Sequence, residues 1–133
     1  MGKNAAQAAW PKGIAAITLF VEDLVAAKDF YQTVFGLPLH YEDENSAVFK
    51  FGDTLVNLLQ VSEAPELINP AAVASPSAGH RLVFTIGVDD VDAMCAELVK
   101  RGVTLLNGPM NRPWGIRTAS FVDPGGHIWE IAQ

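Results

Sequence analysis

Two apolar runs in the chain alternate as strands do, and the same polar punctuation follows each. In the first, Ile14 to Val21, alternation puts Ile14, Ala16, Thr18 and Phe20 on one side and Ala15, Ile17, Leu19 and Val21 on the other. Both sides are largely apolar, so the strand is expected to be covered on both faces. Val21-Glu22-Asp23-Leu24 closes this run, and Val88-Asp89-Asp90-Val91, sixty-seven residues further on, closes a second, Arg81 to Gly87. Asp23 and Asp90 have the chemistry of N-caps, a short carboxylate that accepts the unpaired N–H groups of a first helical turn. Helices are predicted over 23–35, with Leu24, Ala27, Tyr31 and Val34 at core spacing, and over 90–101, with Val91, Met94, Cys95 and Leu98 inward. Gly36 and Gly102 stop them.

Short strands then follow in each half. In the first they fall near 39–42, 46–51 and 54–61, with Gly52-Asp53 as a turn. In the second they fall near 104–106, 116–122 and 128–132, with turns at Asn107-Gly108-Pro109 and Asp123-Pro124-Gly125-Gly126. A strand, a capped helix and three more strands, stated twice, is a tandem βαβββ repeat. The implied organisation is an arm over 1–13, tied down by Trp10-Pro11, a first module over 14–61, a linker over 62–80 and a second module over 81–133. Pro65, Pro70 and Pro76 deny the linker a regular ladder or a long helix, and a connection of that length suits a joint between modules, with room either for a short helical turn or for a place over a cavity mouth. The fold class is α+β: one helix lies on one face of each four-stranded sheet, and strand twist makes the other face concave.

Composition narrows the partners. At 133 residues the chain is one domain, or two small modules sharing a core. A net charge of −6 without any basic run argues against nucleic acid and anionic membrane surfaces. No apolar stretch reaches the roughly 20 residues of a membrane span, and the N-terminus lacks a signal-peptide core, so a cytoplasmic location is expected. The single Cys95 has no disulfide partner in the chain and reads as a core residue.

Beyond these patterns, the phrases Phe20-Val21-Glu22-Asp23-Leu24, Phe30-Tyr31, Phe35-Gly36-Leu37, Val88-Asp89-Asp90-Val91, Gly102-Val103, Trp114-Gly115-Ile116-Arg117 and 121–130 occur in fixed order. Together they resemble the vicinal oxygen chelate superfamily, the glyoxalase, bleomycin-resistance and extradiol-dioxygenase group, over about residues 14 to 132. The resemblance implies paired βαβββ modules whose sheets enclose a cavity, often completed in a homodimer. It also implies metal-ligand positions at Ala16, Val83, Asn57 and Glu130. Aliphatic side chains cannot donate, and a catalytic divalent site needs about three ligands from His, Glu, Asp or Cys. The expectation is therefore the family's frame with no metal centre and no cofactor.

Strand parity then nominates ligand-contacting residues. Thr18, Phe20, Asn57, Thr85 and Glu130 fall on the cavity side, and Trp114 and Arg117 near its rim. Thr18 and Thr85 are repeat-equivalent and are expected to face each other. Glu130 would serve as hydrogen-bond acceptor or base, Arg117 as carboxylate or phosphate clamp, and Trp114 as a flat lid on an aromatic ligand. His40 and His127 read as exposed, and His80 reaches the cavity only if the linker bends. The function expected is binding of an apolar or aromatic small molecule without turnover. The alternative is a superfamily enzyme, a lyase, isomerase or oxygenase, whose reaction these residues leave open.

Overall fold

The computed structural model describes residues 8–133, so the first seven positions of the arm lie outside the described residues. Both halves carry the predicted order. The first contains β1 (Ala16–Val21), α1 (Leu24–Thr33), β2 (Leu39–Glu42), β3 (Ser46–Phe51) and β4 (Thr54–Gln60). Asp23 and Asp90 cap their helices, each side chain accepting from a backbone N–H three residues on, Ala26 at 3.1 Å and Ala93 at 3.0 Å. Between the halves come two single 3-10 turns, at Val61–Glu63 and Pro76–Ala78, with the short α2 (Pro65–Ile68) between them. The second half contains β5 (Phe84–Gly87), α3 (Val91–Lys100), β6 (Leu105–Asn111), β7 (Arg117–Val122) and β8 (Ile128–Ala132).

Two four-stranded sheets result, ordered β1-β4-β3-β2 and β5-β8-β7-β6, and they do not close into a barrel. In each, the first strand runs parallel to the last, with Thr18 beside Asn57 and Thr85 beside Glu130. The other pairings are antiparallel.

The helix-covered sides of both sheets share one core. Leu19, Val21, Phe49, Val56 and Leu58 of the first sheet are buried in the same cluster as Ala119, Phe121, Trp129 and Ile131 of the second. Tyr31 and Phe35, on and just after α1, bridge them, with ring centroids 6.1 and 4.9 Å from Trp129. Edge-to-face and tilted aromatic pairs of this kind add to the burial of their area. Arg101, after α3, donates to the Val34 carbonyl at 2.6 Å and ties the helix ends together. By strand alternation, the faces carrying Thr18 and Asn57, and Thr85 and Glu130, are turned away from this shared core.

Four local expectations need correction. The segment 104–111 is one strand with two register irregularities against β7, and its reversal falls at 112–116, where Gly115 N–H donates to Arg112 O at 3.0 Å. Gly108-Pro109 sits inside this strand because β6 is a sheet edge, where a residue without an N–H costs no ladder bond. Met94 is 36% exposed rather than inward, since Val91, Cys95 and Leu98 already fill the buried stripe of α3. Trp10 stands 89% exposed instead of pinning the arm. His127 is half-buried rather than exposed, held in the network described next. None of the helices of the described residues is long and apolar enough to cross a membrane.

Candidate functional site

The outward faces of the two sheets carry a repeated polar motif. On the first, Asn57 Nδ2 donates to Thr18 Oγ1 at 3.3 Å. On the second, Thr85 Oγ1 donates to Glu130 Oε1 at 2.8 Å. Each pair joins neighbouring residues of the parallel strand pair at one edge of its sheet, so repeat symmetry puts one hydroxyl–polar pair at the same place in both modules. Around the first pair the wall is apolar, with Ala16, Phe20, Leu55 and Leu59 on the same strand parity. Asn57 Oδ1 is buried and makes no hydrogen bond among the described residues. Such an atom costs free energy until something donates to it.

Within one chain these pairs do not face each other across a cavity, because the modules meet through their opposite sides. Instead two clefts flank the first pair. Thr18 and Phe20 line a cavity of about 370 Å³ roofed by residues 73–76 and 79–82, from the linker and the stretch before β5, and walled by 125–128. Asn57 lines another of about 310 Å³, beside Tyr41 and the carboxylates of Asp43, Glu63 and Glu66. The linker borders both. Asp43 is held below the usual carboxylate range by hydrogen bonds from the Asn45 backbone, Ser46 and Tyr41.

The remaining nominated residues are engaged elsewhere. Arg117 clamps Asp92 of α3 through Nε and Nη2 at 2.8 and 2.9 Å, and Nη1 donates to Asn111 at 3.0 Å. The fork geometry suits a carboxylate, and the carboxylate it holds is the protein's own rather than a ligand's. That hydrogen bonding lowers the pKa of Asp92 and raises that of Arg117. Trp114 is 68% exposed in the 112–116 turn, with the Arg112 guanidinium 5.8 Å from its ring centroid in cation–π contact.

The residue reading overlooked one buried polar cluster. Asp123, 4% exposed, accepts from the Tyr31 hydroxyl, from the backbone N–H groups of Gly125 and His127, and contacts His127 Nδ1 at 3.1 Å. Trp129 Nε1 completes the chain by donating to Tyr31 Oη at 3.2 Å. Burial pushes the Asp123 carboxyl up. The hydrogen bonds from His127 and Tyr31 outweigh that and leave it below its ordinary value. Burial and the Asp123 charge raise the Tyr31 phenol, which therefore stays a donor. Asp123 had the composition of a turn residue, and its 92-residue separation from Tyr31 hides the contact from any local pattern. His80 and Arg81, too, reach a cavity only because the linker folds back.

A divalent metal does not fit these residues. Ala16 and Val83 offer no donor atoms, which leaves a neutral amide and a single carboxylate, Asn57 and Glu130, where about three strong ligands are needed. Among the described residues no group of three or more His, Cys, Asp or Glu side chains could hold an ion.

Comparison with known proteins agrees with this frame. The chain is 31% identical over 119 residues to the uncharacterized protein YraH of Bacillus subtilis (strain 168), covering 86% of this chain and 93% of that one. TnmS3, an antibiotic binding protein from Streptomyces sp. CB03234, superposes with a TM-score of 0.69 at 30% identity, over 92% of this chain and 96% of its own. Lactoylglutathione lyase from Agrobacterium tumefaciens superposes at 0.73 and 25% identity, over 92% and 93% of the two chains. The family model matches residues 13–131, and the chain belongs to the Glyoxalase/Bleomycin resistance protein/Dioxygenase superfamily.

Proposed function

We propose that this protein binds and holds a small, largely apolar molecule against the outward sheet faces, and that a second copy of the chain closes the site. The carrying observation is the repeated motif: Thr18 with Asn57 and Thr85 with Glu130 sit at equivalent places in the two modules, the first amid apolar neighbours. A face of this kind gains about 25 cal/mol per Å² of apolar ligand surface buried, while its few polar groups set orientation. The buried Asn57 Oδ1 is ready to accept from a ligand donor. The similarity to an antibiotic binding protein supports holding rather than turnover, and so does a donor set that suits no metal.

Closure by a second copy follows from the repeat. Because the modules are alike and their faces point outward, one two-fold axis can lay the first module of each copy on the second module of its partner. Both sites then close in one isologous interface.

A thermal-shift screen of aromatic antibiotics, catechols and hydrophobic metabolites, followed by calorimetry, tests the reading. Asn57→Leu and Glu130→Leu are each expected to weaken a saturable ligand by about tenfold or more, the worth of a hydrogen bond to a polar or charged anchor. Ligands whose affinity ignores both substitutions would reject these faces as the site. Turnover of a bound compound would move the protein to the enzymes of its superfamily.

A further inference from the structure

The cavity under the linker has a charge that the sheet faces lack. Besides Thr18 and Phe20 it is lined by His80 at the end of the linker, by Arg81 just before β5 and by His127 from the β7–β8 turn. The chain has three histidines and a net charge of −6, yet two of those histidines and an arginine gather around this one space. His80 and Arg81 take no part in any ion pair among the described residues. His127 is oriented through Nδ1 by the buried Asp123 at 3.1 Å, and its Nε2 makes no hydrogen bond among the described residues. One carboxylate, Glu22, also lines the cavity, and no ion pair joins it to Arg81 or to either imidazole. The floor is apolar, with Phe20, Leu82 and Ile128.

From this we infer that the linker cavity is a binding site for an amphipathic organic anion, an aromatic carboxylate whose ring lies on Phe20, Leu82 and Ile128 and whose charge meets Arg81 and the His80 imidazole, with His127 beside them. Its volume, about 370 Å³, suits a molecule of one or two rings. A planar guanidinium takes a carboxylate through two parallel N–H bonds, and the His80 imidazole offers one N–H more, whereas His127, with its Nδ1–H turned to Asp123, donates from Nε2 only as imidazolium. The site deepens the small-molecule reading above, because it abuts the same sheet face, but it is built by the linker and stands or falls separately. The neighbouring cleft with Asp43, Glu63 and Glu66 has the opposite sign, so a cation would choose the other side of the Thr18–Asn57 pair.

Isothermal calorimetry on the full chain with three isosteric probes decides it: naphthoate, neutral naphthamide and cationic naphthylmethylamine. Naphthoate is expected to bind saturably and at least about tenfold tighter than naphthamide. Arg81→Gln, and more so His80→Gln with Arg81→Gln, are expected to remove most of that advantage while leaving naphthamide binding within about twofold. Both residues are exposed and outside the core, so the thermal midpoint is expected to stay put. Lys100→Gln removes an equal charge at the far end of α3 and is expected to change nothing. Equal binding of naphthoate and naphthamide, preference for the amine, no saturable naphthoate binding, or equal losses in Arg81→Gln and Lys100→Gln would each overturn the inference. None of these touches the sheet-face reading, which is judged by Asn57→Leu and Glu130→Leu.

Discussion

At the scale of single residues, the most consequential group is Asp123, a carboxylate in the shared core that is satisfied from several directions. Removing one partner leaves buried atoms unmatched, which costs more than the bond itself contributes. Tyr31→Phe keeps the ring packing and strips one donor from Asp123 and an acceptor from Trp129. It is expected to lower stability by about 1–3 kcal/mol, read by denaturant unfolding. The pH dependence has a definite sign. Asp123 ionises in the folded protein below its ordinary value, so folding favours the charged form. Its stability is in full effect above the unfolded-state value of ~3.9 and is lost as pH falls through the lower folded-state value. Asp123→Asn is therefore expected to be less stable than wild type at neutral pH and to show a shallower decline in acid below about pH 4. Parallel acid-limb slopes for the two proteins would mean that another carboxylate controls acid unfolding.

At the scale of elements, β6 shows what an edge strand tolerates. A Cβ on Gly108 would lie 2.6 Å from the Thr118 carbonyl oxygen and 2.7 Å from Ala119 Cα, both on β7, while the backbone there has φ +85°. Backbone atoms of a paired strand cannot step aside, so Gly108→Ala combines a left-handed conformation with a clash. Gly115, in the next turn, has φ +97° but open space around it. Gly115→Ala is expected to cost about 1–3 kcal/mol, the strain alone, and Gly108→Ala clearly more. Thermal unfolding of the two variants side by side measures the difference, and equal losses would mean that β6 moves off β7 to make room.

At the scale of the whole molecule, the shared core leaves the faces with the Thr18–Asn57 and Thr85–Glu130 pairs pointing outward. The second carries Thr85 and is preceded by Leu82 and Val83, which are 55% and 49% exposed. Partly apolar surfaces of this kind suit an interface. Sedimentation equilibrium is expected to give about twice the 14.3 kDa chain mass, and Val83→Asp, on the same parity as Thr85, to shift the protein toward monomer with its helical signal unchanged. A wild-type chain that stays monomeric over a wide concentration range would refute closure by a second copy.

The periodicities are local, and what they determine is local. The two aspartate caps, the helix stops at Gly36 and Gly102, and the alternation that separates Leu19 and Val21 from Thr18 and Phe20 are all legible in neighbouring residues, because backbone sterics and capping act within a turn or a few strand positions. The repeat made βαβββ modules legible in the same way. How the modules join is decided by contacts between residues far apart in the chain: Tyr31 with Asp123, Phe35 with Trp129, Arg101 with Val34. Those contacts join the helix-covered sides, and so turn Thr18 and Thr85 apart where parity alone let them be opposed. Tertiary packing also gives Arg117 a partner in Asp92 and brings His80 and Arg81 to the cavity that Phe20 lines. Alternation specifies which side of a strand a residue occupies. Only the packing of one sheet on the rest determines what that side meets.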